Sequence, residues 1–161
     1  RGLGDVYKRQ GYCYYVGFDP ETGSFREEDN AKTSIGYSTS TPVVYNGRVY
    51  VGAGQFNPDG GLYCLDENTL SVIWNYVAGG GVQSSPVIST YYDDGDGEIY
   101  IYFTTNTLYG RAYCLDGDGN LVWYYEPPEE ECQYTLQGVA LYFGKVIFAN
   151  DAGYVFALGG F

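Results

Sequence analysis

The chain of 161 residues has no histidine, no methionine and only eight lysines and arginines. Without histidine it cannot build a Ser-His-Asp or Cys-His catalytic site, or a zinc or copper site with histidine ligands. Twenty aspartates and glutamates bring the net charge to −12. Because phosphate groups are bound by cationic side chains, this charge argues against nucleic acid and anionic membrane surfaces as partners. The sequence also has no apolar run of about 18 residues that could span a bilayer.

The abundant residues point to one fold class. Twenty tyrosines and 24 glycines combine aromatic residues that favour strands with residues that permit tight turns, which predicts an all-β fold. Residues 1–10 are excluded from this prediction, because LGDVYKRQ resembles a translated sequencing-adapter scar of metagenomic reading frames. We expect residues 1–10 to be an artefact or disordered, and the natural N-terminus, with any signal peptide, to be missing.

A repeat of about 40 residues runs through the rest of the chain. Tyr-Cys-Leu-Asp occurs at 63–66 and again at 113–116, each time followed by one of the only two tryptophans, Trp74 and Trp123. Before the first copy, an Asn-Gly pair at Asn46 between two apolar runs predicts a hairpin. The hairpin, the Tyr-Cys-Leu-Asp run and the run with the tryptophan together make four short strands in a complete unit. The predicted units are a half blade at 11–30, whole blades at 38–78 and 82–126, and an incomplete blade at 133–161.

The faces of these strands indicate how the units pack. Leu62 and Cys64 point to one face of their strand and Tyr63 and Leu65 to the other, so both faces are apolar. A sheet that is apolar on both faces must be covered on both, and stacking four-stranded blades radially achieves this. We predict an all-β, partial β-propeller of about three and a half four-stranded antiparallel blades.

The repeated turns and tryptophans resemble the repeat motif of a known family. The segment from Cys64 to Trp74 resembles the tryptophan-docking motif of pyrroloquinoline-quinone-like (PQQ-like) propeller repeats, Ala-x-Asp-x-x-Thr-Gly-x-x-x-Trp. It departs from the motif at Cys64, in place of Ala, and at Leu70, in place of Gly. The matching residues of the four copies are Asp19, Thr22 and Gly23; Cys64, Asp66, Thr69 and Trp74; Cys114, Asp116 and Trp123; and Ala157.

The resemblance implies a structural role for these residues. In the family the tryptophan packs between blades, against the small residue of the motif and a peptide plane of the neighbouring blade, while the aspartate braces the turn. Cys64 and Cys114 then occupy the small core position that Ala157 occupies in the last copy.

Two other interpretations of the cysteines, a disulfide and a quinoprotein site, compete with a packing role. A disulfide between Cys64 and Cys114 needs Cα atoms within about 7 Å, whereas equivalent strands of adjacent blades lie more than one packed-sheet spacing of about 10 Å apart. Cys13 and Cys132 fall outside the repeated position and are either free or paired with an absent part of the parent chain. Quinoprotein dehydrogenases of the family use two adjacent cysteines, an aspartate base and a calcium ion. No two cysteines are adjacent here.

We therefore predict no catalytic residue and no cofactor, and keep a fragment of a PQQ-dependent dehydrogenase as the alternative. Alternating carboxylates on a glycine-bent chain, Asp93, Asp94, Asp96 and Glu98, are weak candidates for calcium. They lack the length of a twelve-residue calcium loop, so a solvated hairpin turn is favoured. A calcium-stabilised adhesin is the second alternative.

The sequence interpretation is a non-catalytic scaffold, extracellular, on the cell surface or in the periplasm, that binds a protein or glycan through its loops. The repeat class also contains an outer-membrane assembly lipoprotein. Tyr91-Tyr92, Tyr124-Tyr125 and Tyr134 are candidate contact residues, and strand alternation predicts that one member of each pair is buried. The run from Pro127 to Glu131 is predicted to be an exposed connection. The remaining blades of the parent chain are implied partners, because this number of blades leaves two apolar faces uncovered.

Overall fold

The computed structural model describes residues 12–18, 21–55 and 59–159. Residues 1–10 and Asp19, for which the sequence makes predictions, lie outside these ranges. The strands are β1 (Tyr12–Phe18), β2 (Phe25–Ser34), β3 (Val43–Tyr45), β4 (Arg48–Ala53), β5 (Gly61–Asp66), β6 (Val72–Val77), β7 (Val87–Ser89), β8 (Tyr100–Thr104), β9 (Ala112–Asp116), β10 (Leu121–Tyr125), β11 (Ala140–Tyr142), β12 (Lys145–Ala149) and β13 (Val155–Gly159).

The strands form antiparallel sheets in chain order. β1 and β2 pair, β3 to β6 form the first four-stranded sheet, β7 to β10 form the second, and β11 to β13 form a three-stranded sheet. The prediction of an all-β partial propeller is confirmed. β2 continues to Ser34, past the predicted end of the half blade at residue 30. Within the described ranges no helix is long or apolar enough to cross a membrane.

The turn chemistry explains why the chain reverses where it does. Asn46 and Gly47 have φ angles of 47° and 78°, which gives the type I′ hairpin that an Asn-Gly pair favours. The connection from Pro127 contains a short 3₁₀ turn, Glu129–Glu131, where the sequence predicted only an exposed link. Pro127 itself is buried, while the turn is largely exposed.

The hydrophobic core lies between the sheets. On the first sheet, Leu65 packs with Val49 and with Ile35, which follows β2, while Leu62 and Cys64 face the other way and pack against the second sheet. The alternation predicted for residues 62–65 is therefore right. The far side of the second sheet packs in turn against the three-stranded sheet.

The three-stranded sheet is covered on one side only. Val146 and Phe148 are buried against the second sheet, whereas Val155 is 72% exposed. Ala140 and Ala157 are exposed as well. An apolar sheet face is thus open at this end of the described structure.

Candidate functional site

Each four-stranded sheet carries the repeated cysteine at the centre of a row of paired residues. In the first sheet Tyr50 pairs with Cys64, and Cys64 pairs with Trp74 on the outer strand. The Tyr50 and Trp74 rings lie two strands apart, yet their centroids are 5.9 Å from each other. Adjacent strands are about 4.8 Å apart, so the rings approach this closely because the residue between them is small.

The second sheet repeats the same row. Tyr102 pairs with Cys114, and Cys114 pairs with Trp123. The Tyr102 and Trp123 ring centroids are again 5.9 Å apart. The recurrence of one distance in two sheets indicates that the small cysteine is a packing requirement of the repeat.

Both repeated cysteines are buried free thiols. Cys64 is 0% and Cys114 1% exposed, and neither forms a disulfide. Burial raises the pKa of Cys64 to about 11 and that of Cys114 to about 12, because the thiolate loses its hydration. A neutral, buried thiol is a poor nucleophile and a poor metal ligand. Cys132, partly exposed and also free, places its Sγ 3.0 Å from the Pro127 carbonyl oxygen.

Trp74 also contacts the second sheet. Its Nε1 donates a hydrogen bond to the carbonyl oxygen of Gly117 at 3.3 Å, and Arg48 Nη1 donates to the same oxygen at 2.6 Å. Arg48 Nη1 lies 3.7 Å from an Asp118 carboxylate oxygen as well. The resemblance implies such a contact between the motif tryptophan and a peptide group of the neighbouring blade. That every copy of the motif makes this contact stays a prediction.

The motif aspartates hold their turns through backbone donors. Asp66 Oδ1 accepts hydrogen bonds from the backbone N–H groups of Thr69 and Asn68 and from the Thr69 hydroxyl. The bonds from Thr69 and Asn68 hold the pKa of Asp66 below its usual value. Asp116 Oδ1 accepts from the N–H groups of Asp118 and Asn120. Both carboxylates therefore act inside their own turns.

The first copy is only partly described. The Thr22 hydroxyl oxygen accepts a hydrogen bond from the Ser24 N–H at 3.3 Å, and Gly23 has a φ of 71°. This left-handed conformation is one that glycine adopts at little cost. In the second copy the equivalent left-handed position is filled by Leu70, with a φ of 56°.

The acidic turn between β7 and β8 brings three carboxylates together. Oxygen atoms of Asp93, Asp94 and Asp96 all lie within 4.8 Å of one another. Asp93 Oδ1 accepts hydrogen bonds from the N–H groups of Gly95 and Gly97, which lower the pKa of Asp93. These three residues are the ones that could hold a cation, although calcium takes six to eight oxygen ligands.

Glu98 does not belong to that cluster of three. It accepts a hydrogen bond from the Tyr100 hydroxyl at 2.7 Å, and this bond raises the pKa of Tyr100 to about 12. The sequence placed Glu98 with the other candidates because of spacing alone. The structure directs its carboxylate towards a tyrosine of β8 instead, and calcium binding at the turn stays a prediction.

Exposed aromatic rings lie beside the acidic turn and define a surface that we call the aromatic ridge. Its members are Tyr91, Tyr92, Tyr142 and Phe143, which are 71%, 55%, 64% and 79% exposed. Tyr91 and Tyr92 meet edge to face at 5.0 Å, and Tyr142 and Phe143 at 4.5 Å. The two pairs are neighbours, because the Tyr92 hydroxyl lies 3.9 Å from where a Cβ on Gly144 would be.

The ridge corrects one sequence prediction. Alternation predicted that either Tyr91 or Tyr92 is buried, but β7 ends at Ser89 and both tyrosines lie in the turn that follows. In the second pair the two side chains do alternate, but neither is fully buried: Tyr124 is 52% exposed, and the half-buried Tyr125 packs against Phe148. Tyr134 is half-buried.

Sequence reasoning missed Tyr142 and Phe143. They belong to the hairpin between β11 and β12, where Phe143 and Gly144 have φ angles of 43° and 71°. The left-handed turn points the large Phe143 ring into solvent. The sequence did contain a signal for this turn. Gly144 follows the aromatic pair between two apolar runs, and a glycine at this place predicts a hairpin turn, as in an Asn-Gly hairpin.

The sheets, the repeated rows and the braced turns define a β-propeller built from PQQ-like repeats. A family model described as outer membrane protein assembly factor BamB matches residues 15–160, and the chain belongs to this family. No curated protein sequence matches the chain. The crystal structure of BamB from Moraxella catarrhalis is similar, with a TM-score of 0.57 and 16% identity over 96% of this chain and 41% of that one. At this identity the similarity shows the fold, and the chain spans less than half of that protein.

Proposed function

We propose that this chain is part of a non-catalytic β-propeller scaffold in a bacterial envelope, and that it binds a partner protein through the aromatic ridge. The family description, an outer membrane protein assembly factor, supports an envelope setting and a protein partner. The ridge is the observation that carries the proposal.

A cluster of four exposed aromatic rings is unusual on a protein surface that faces water. Rings of this size release much water when they are covered, and they concentrate at the centres of protein interfaces. The ridge rings also contact one another, so they lose little conformational freedom when a partner covers them. This surface is therefore prepared to form the apolar centre of an interface.

The charges beside the ridge favour one kind of partner. Asp93, Asp94 and Asp96 follow directly after the Tyr91-Tyr92 pair, and the whole chain carries a net charge of −12. Oppositely charged rims speed association and exclude partners of like charge. The partner surface is expected to present apolar side chains surrounded by lysine or arginine.

The reactive groups support a scaffold in preference to an enzyme. The most strongly perturbed groups include Cys64 and Cys114, whose raised pKa values follow from burial in the packed rows. A buried thiol in a packed core is not presented to a substrate.

Site-specific photo-crosslinking tests the proposal. Benzoylphenylalanine replaces Tyr92 or Phe143, and the variant chain is exported to the periplasm of a Gram-negative host. After irradiation, the crosslinked products are identified by mass spectrometry. The control position is Tyr109, which is 47% exposed and lies in the loop at the opposite end of β8. We expect one common protein product from Tyr92 and Phe143 and none from Tyr109.

A second arm separates protein from glycan. Purified chain is passed over a glycan array, since the same rings could stack on sugars. Specific glycan binding that is lost in a Tyr92→Ser, Phe143→Ser variant, without a protein crosslink, would replace the proposed partner class. Equal crosslinking from all three positions would refute a role for the ridge.

A further inference from the structure

A cavity of about 450 Å³ lies between the first and second sheets. One wall comes from the β3–β4 hairpin and β4, and the other from the acidic turn before β8 and the turn after β9. Its volume falls within the range of about 300–1,000 Å³ that small-molecule sites occupy. We call it the inter-sheet pocket, and the side chains that give it its chemistry are Tyr45, Arg48, Tyr50, Asp96, Glu98 and Asp118.

The first sheet places three of these side chains on one wall. Tyr45 pairs with Arg48 across the hairpin, and Tyr50 lies two residues further along β4. Paired residues and residues two apart on a strand share one face of a sheet. Because Tyr50 packs in the core between the two sheets, that face is the one turned towards the second sheet. This wall therefore combines two phenol rings with a guanidinium group.

The hydroxyl group of Tyr50 is the unusual feature of the pocket. Tyr50 is 0% exposed, and within residues 12–18, 21–55 and 59–159 its hydroxyl has no hydrogen-bond partner. Burial raises the pKa of Tyr50 to about 12, so the hydroxyl keeps its proton at neutral pH. Arg48 directs Nη1 to the carbonyl oxygen of Gly117 instead. Since a buried hydroxyl without a partner is costly, the Tyr50 hydroxyl is suited to bond a molecule in the pocket.

The opposite wall supplies carboxylates that are spread apart. Asp96 Oδ1 accepts a hydrogen bond from the Glu98 N–H, and Asp118 lies 3.7 Å from Arg48 Nη1. A carboxylate has two oxygens and about four acceptor sites, so each can accept further hydrogen bonds. In the described part of the chain, only the cluster of three in the acidic turn brings carboxylate oxygens together. The carboxylates of the pocket therefore do not surround a single point, as the ligands of a metal ion must.

The two walls favour a neutral ligand with many hydroxyl groups. The carboxylates repel an anion, and the guanidinium of Arg48 opposes a cation. Hydroxyl groups both donate to carboxylates and accept from Arg48 and Tyr50, and a sugar ring can stack on an amphipathic tyrosine ring. We propose that the inter-sheet pocket binds a neutral mono- or disaccharide, one hydroxyl of which accepts a hydrogen bond from Tyr50.

The two indole N–H groups of the chain report on binding. Trp74 Nε1 donates to the carbonyl oxygen of Gly117, a residue that lines the pocket, and the only other tryptophan, Trp123, serves as an internal reference. The isotope-labelled 161-residue chain is titrated with maltose, cellobiose, lactose, trehalose or N,N′-diacetylchitobiose and followed by nuclear magnetic resonance. We expect at least one sugar to shift the Trp74 signal saturably and to leave the Trp123 signal unchanged. No saturable shift with any of them would overturn the proposal.

A matched pair of variants tests the role of the Tyr50 hydroxyl. Tyr50→Phe keeps the ring and removes the hydroxyl, and it should weaken sugar binding by about fivefold or more. Tyr102→Phe is the control, because Tyr102 holds the same position in the row of the second sheet and is 6% exposed but does not line the pocket. Equal affinities of the two variants for the sugar would contradict the assignment.

Thermal unfolding without sugar tests the premise that this hydroxyl has no partner. Tyr50→Phe should not lower the melting temperature, because a buried hydroxyl that makes no hydrogen bond adds nothing to stability. A lower melting temperature than that of the parent chain would show that the hydroxyl is bonded within the protein. That result would overturn the proposal.

The pocket goes beyond the partner site proposed above, since it uses none of the residues of the aromatic ridge. The Tyr92→Ser, Phe143→Ser variant should therefore bind the sugar as the parent chain does, whether or not the ridge yields a protein crosslink. Loss of sugar binding in that variant would assign the sugar to the ridge and overturn a role for the pocket.

Cation probes distinguish the remaining ligand class. Spermidine and calcium chloride are titrated in the same way. If either shifts the Trp74 signal in the parent chain but not in Tyr50→Phe, and no sugar does, the pocket binds a cation and the proposal is wrong. Sugar binding should also persist at high salt, because a neutral ligand has no charge for salt to screen. Strong weakening by salt would argue against a neutral ligand.

Discussion

Trp74, on the outer strand of the first sheet, donates a hydrogen bond to the carbonyl oxygen of Gly117, in the turn that follows β9 of the second sheet, at 3.3 Å. Arg48 reaches the same oxygen, so two side chains of the first sheet hold one backbone group of the next. Asp116 braces the turn that contains Gly117. The first sheet is thus bonded to a turn of the second sheet whose backbone is held in place. Such contacts between sheets matter in a repeat fold, because no single sheet has a core of its own.

Replacing Trp74 tests this contact between the two sheets. Trp74→Phe keeps an aromatic ring but removes the N–H, so we expect a loss of about 1 kcal/mol in the free energy of unfolding. Trp74→Ala also removes the ring packed over Cys64, and about 3–5 kcal/mol should be lost. Urea unfolding followed by tyrosine fluorescence measures both. The control is Tyr109→Ala at an exposed site, and a Trp74→Ala loss no larger than the control loss would contradict the assignment.

Gly119 tests how closely the indole approaches the turn. It has a φ of 86°, and an added Cβ would lie 2.7 Å from Trp74 Cδ2. Gly119→Ala should therefore destabilise the fold through both backbone strain and a steric clash, by about 2–4 kcal/mol. Gly153→Ala is the matched control, because Gly153 has a φ of 87° and open space around it.

A double variant tests whether the indole of Trp74 causes the extra cost at Gly119. In a Trp74→Ala background the clash disappears, and Gly119→Ala should then cost only what Gly153→Ala costs, about 1 kcal/mol. An unchanged cost in that background would show that the indole does not press on the turn.

Much of the fold was predictable because it depends on local rules. The Asn46-Gly47 hairpin follows from the turn that this pair favours, and the two faces of β5 follow from alternation of its side chains. The repeat then placed Cys64 and Cys114 at equivalent positions. The length of β2 was not predictable, since its continuation to Ser34 has no clear alternating pattern.

The surface beside the acidic turn was less predictable. Tyr92 and Phe143 are distant in sequence and become neighbours only when one sheet stacks on the next. Periodicity also gave the wrong burial for the Tyr91-Tyr92 pair, because β7 ends at Ser89 and both tyrosines lie in the turn that follows. Side-chain alternation holds only inside a strand, and strand ends are where sequence patterns are weakest.

At Leu70 we expect a glycine variant to be more stable than an alanine variant, the reverse of the usual order. Its φ of 56° favours glycine, yet its side chain is 1% exposed and packs with Leu65. Leu70→Ala should cost about 2–5 kcal/mol from lost packing. Leu70→Gly loses the same contacts but removes a left-handed strain of about 1–2 kcal/mol, so the glycine variant should be the more stable one.

Leu65 is the control for that inversion, because it is 0% exposed and lies in β5. There Leu65→Gly should be less stable than Leu65→Ala by about 0.5–1 kcal/mol, the usual order. Thermal unfolding of the four variants gives the ranking. The same order at both positions would show that Leu70 does not bear backbone strain.

The buried thiols predict how stability changes at high pH. The folded pKa values of Cys64, about 11, and Cys114, about 12, lie above the value of about 8.5 for an unfolded chain. Each thiol therefore stabilises the fold fully below that value, and the contribution is lost as the pH rises towards the folded pKa. A Cys64→Ala, Cys114→Ala variant should keep the fold and lose less stability over that alkaline range.

Thiol labelling distinguishes these core cysteines from Cys132, which is partly exposed. Iodoacetamide at mildly alkaline pH should alkylate Cys132 while Cys64 and Cys114 remain unmodified, because they are both buried and protonated. Peptide mapping by mass spectrometry after a quench assigns each site. Adding urea should make all three react, which controls for intrinsic reactivity. Rapid alkylation of Cys64 or Cys114 in the native protein would mean that the rows open in solution, and their role as fixed packing positions would be refuted.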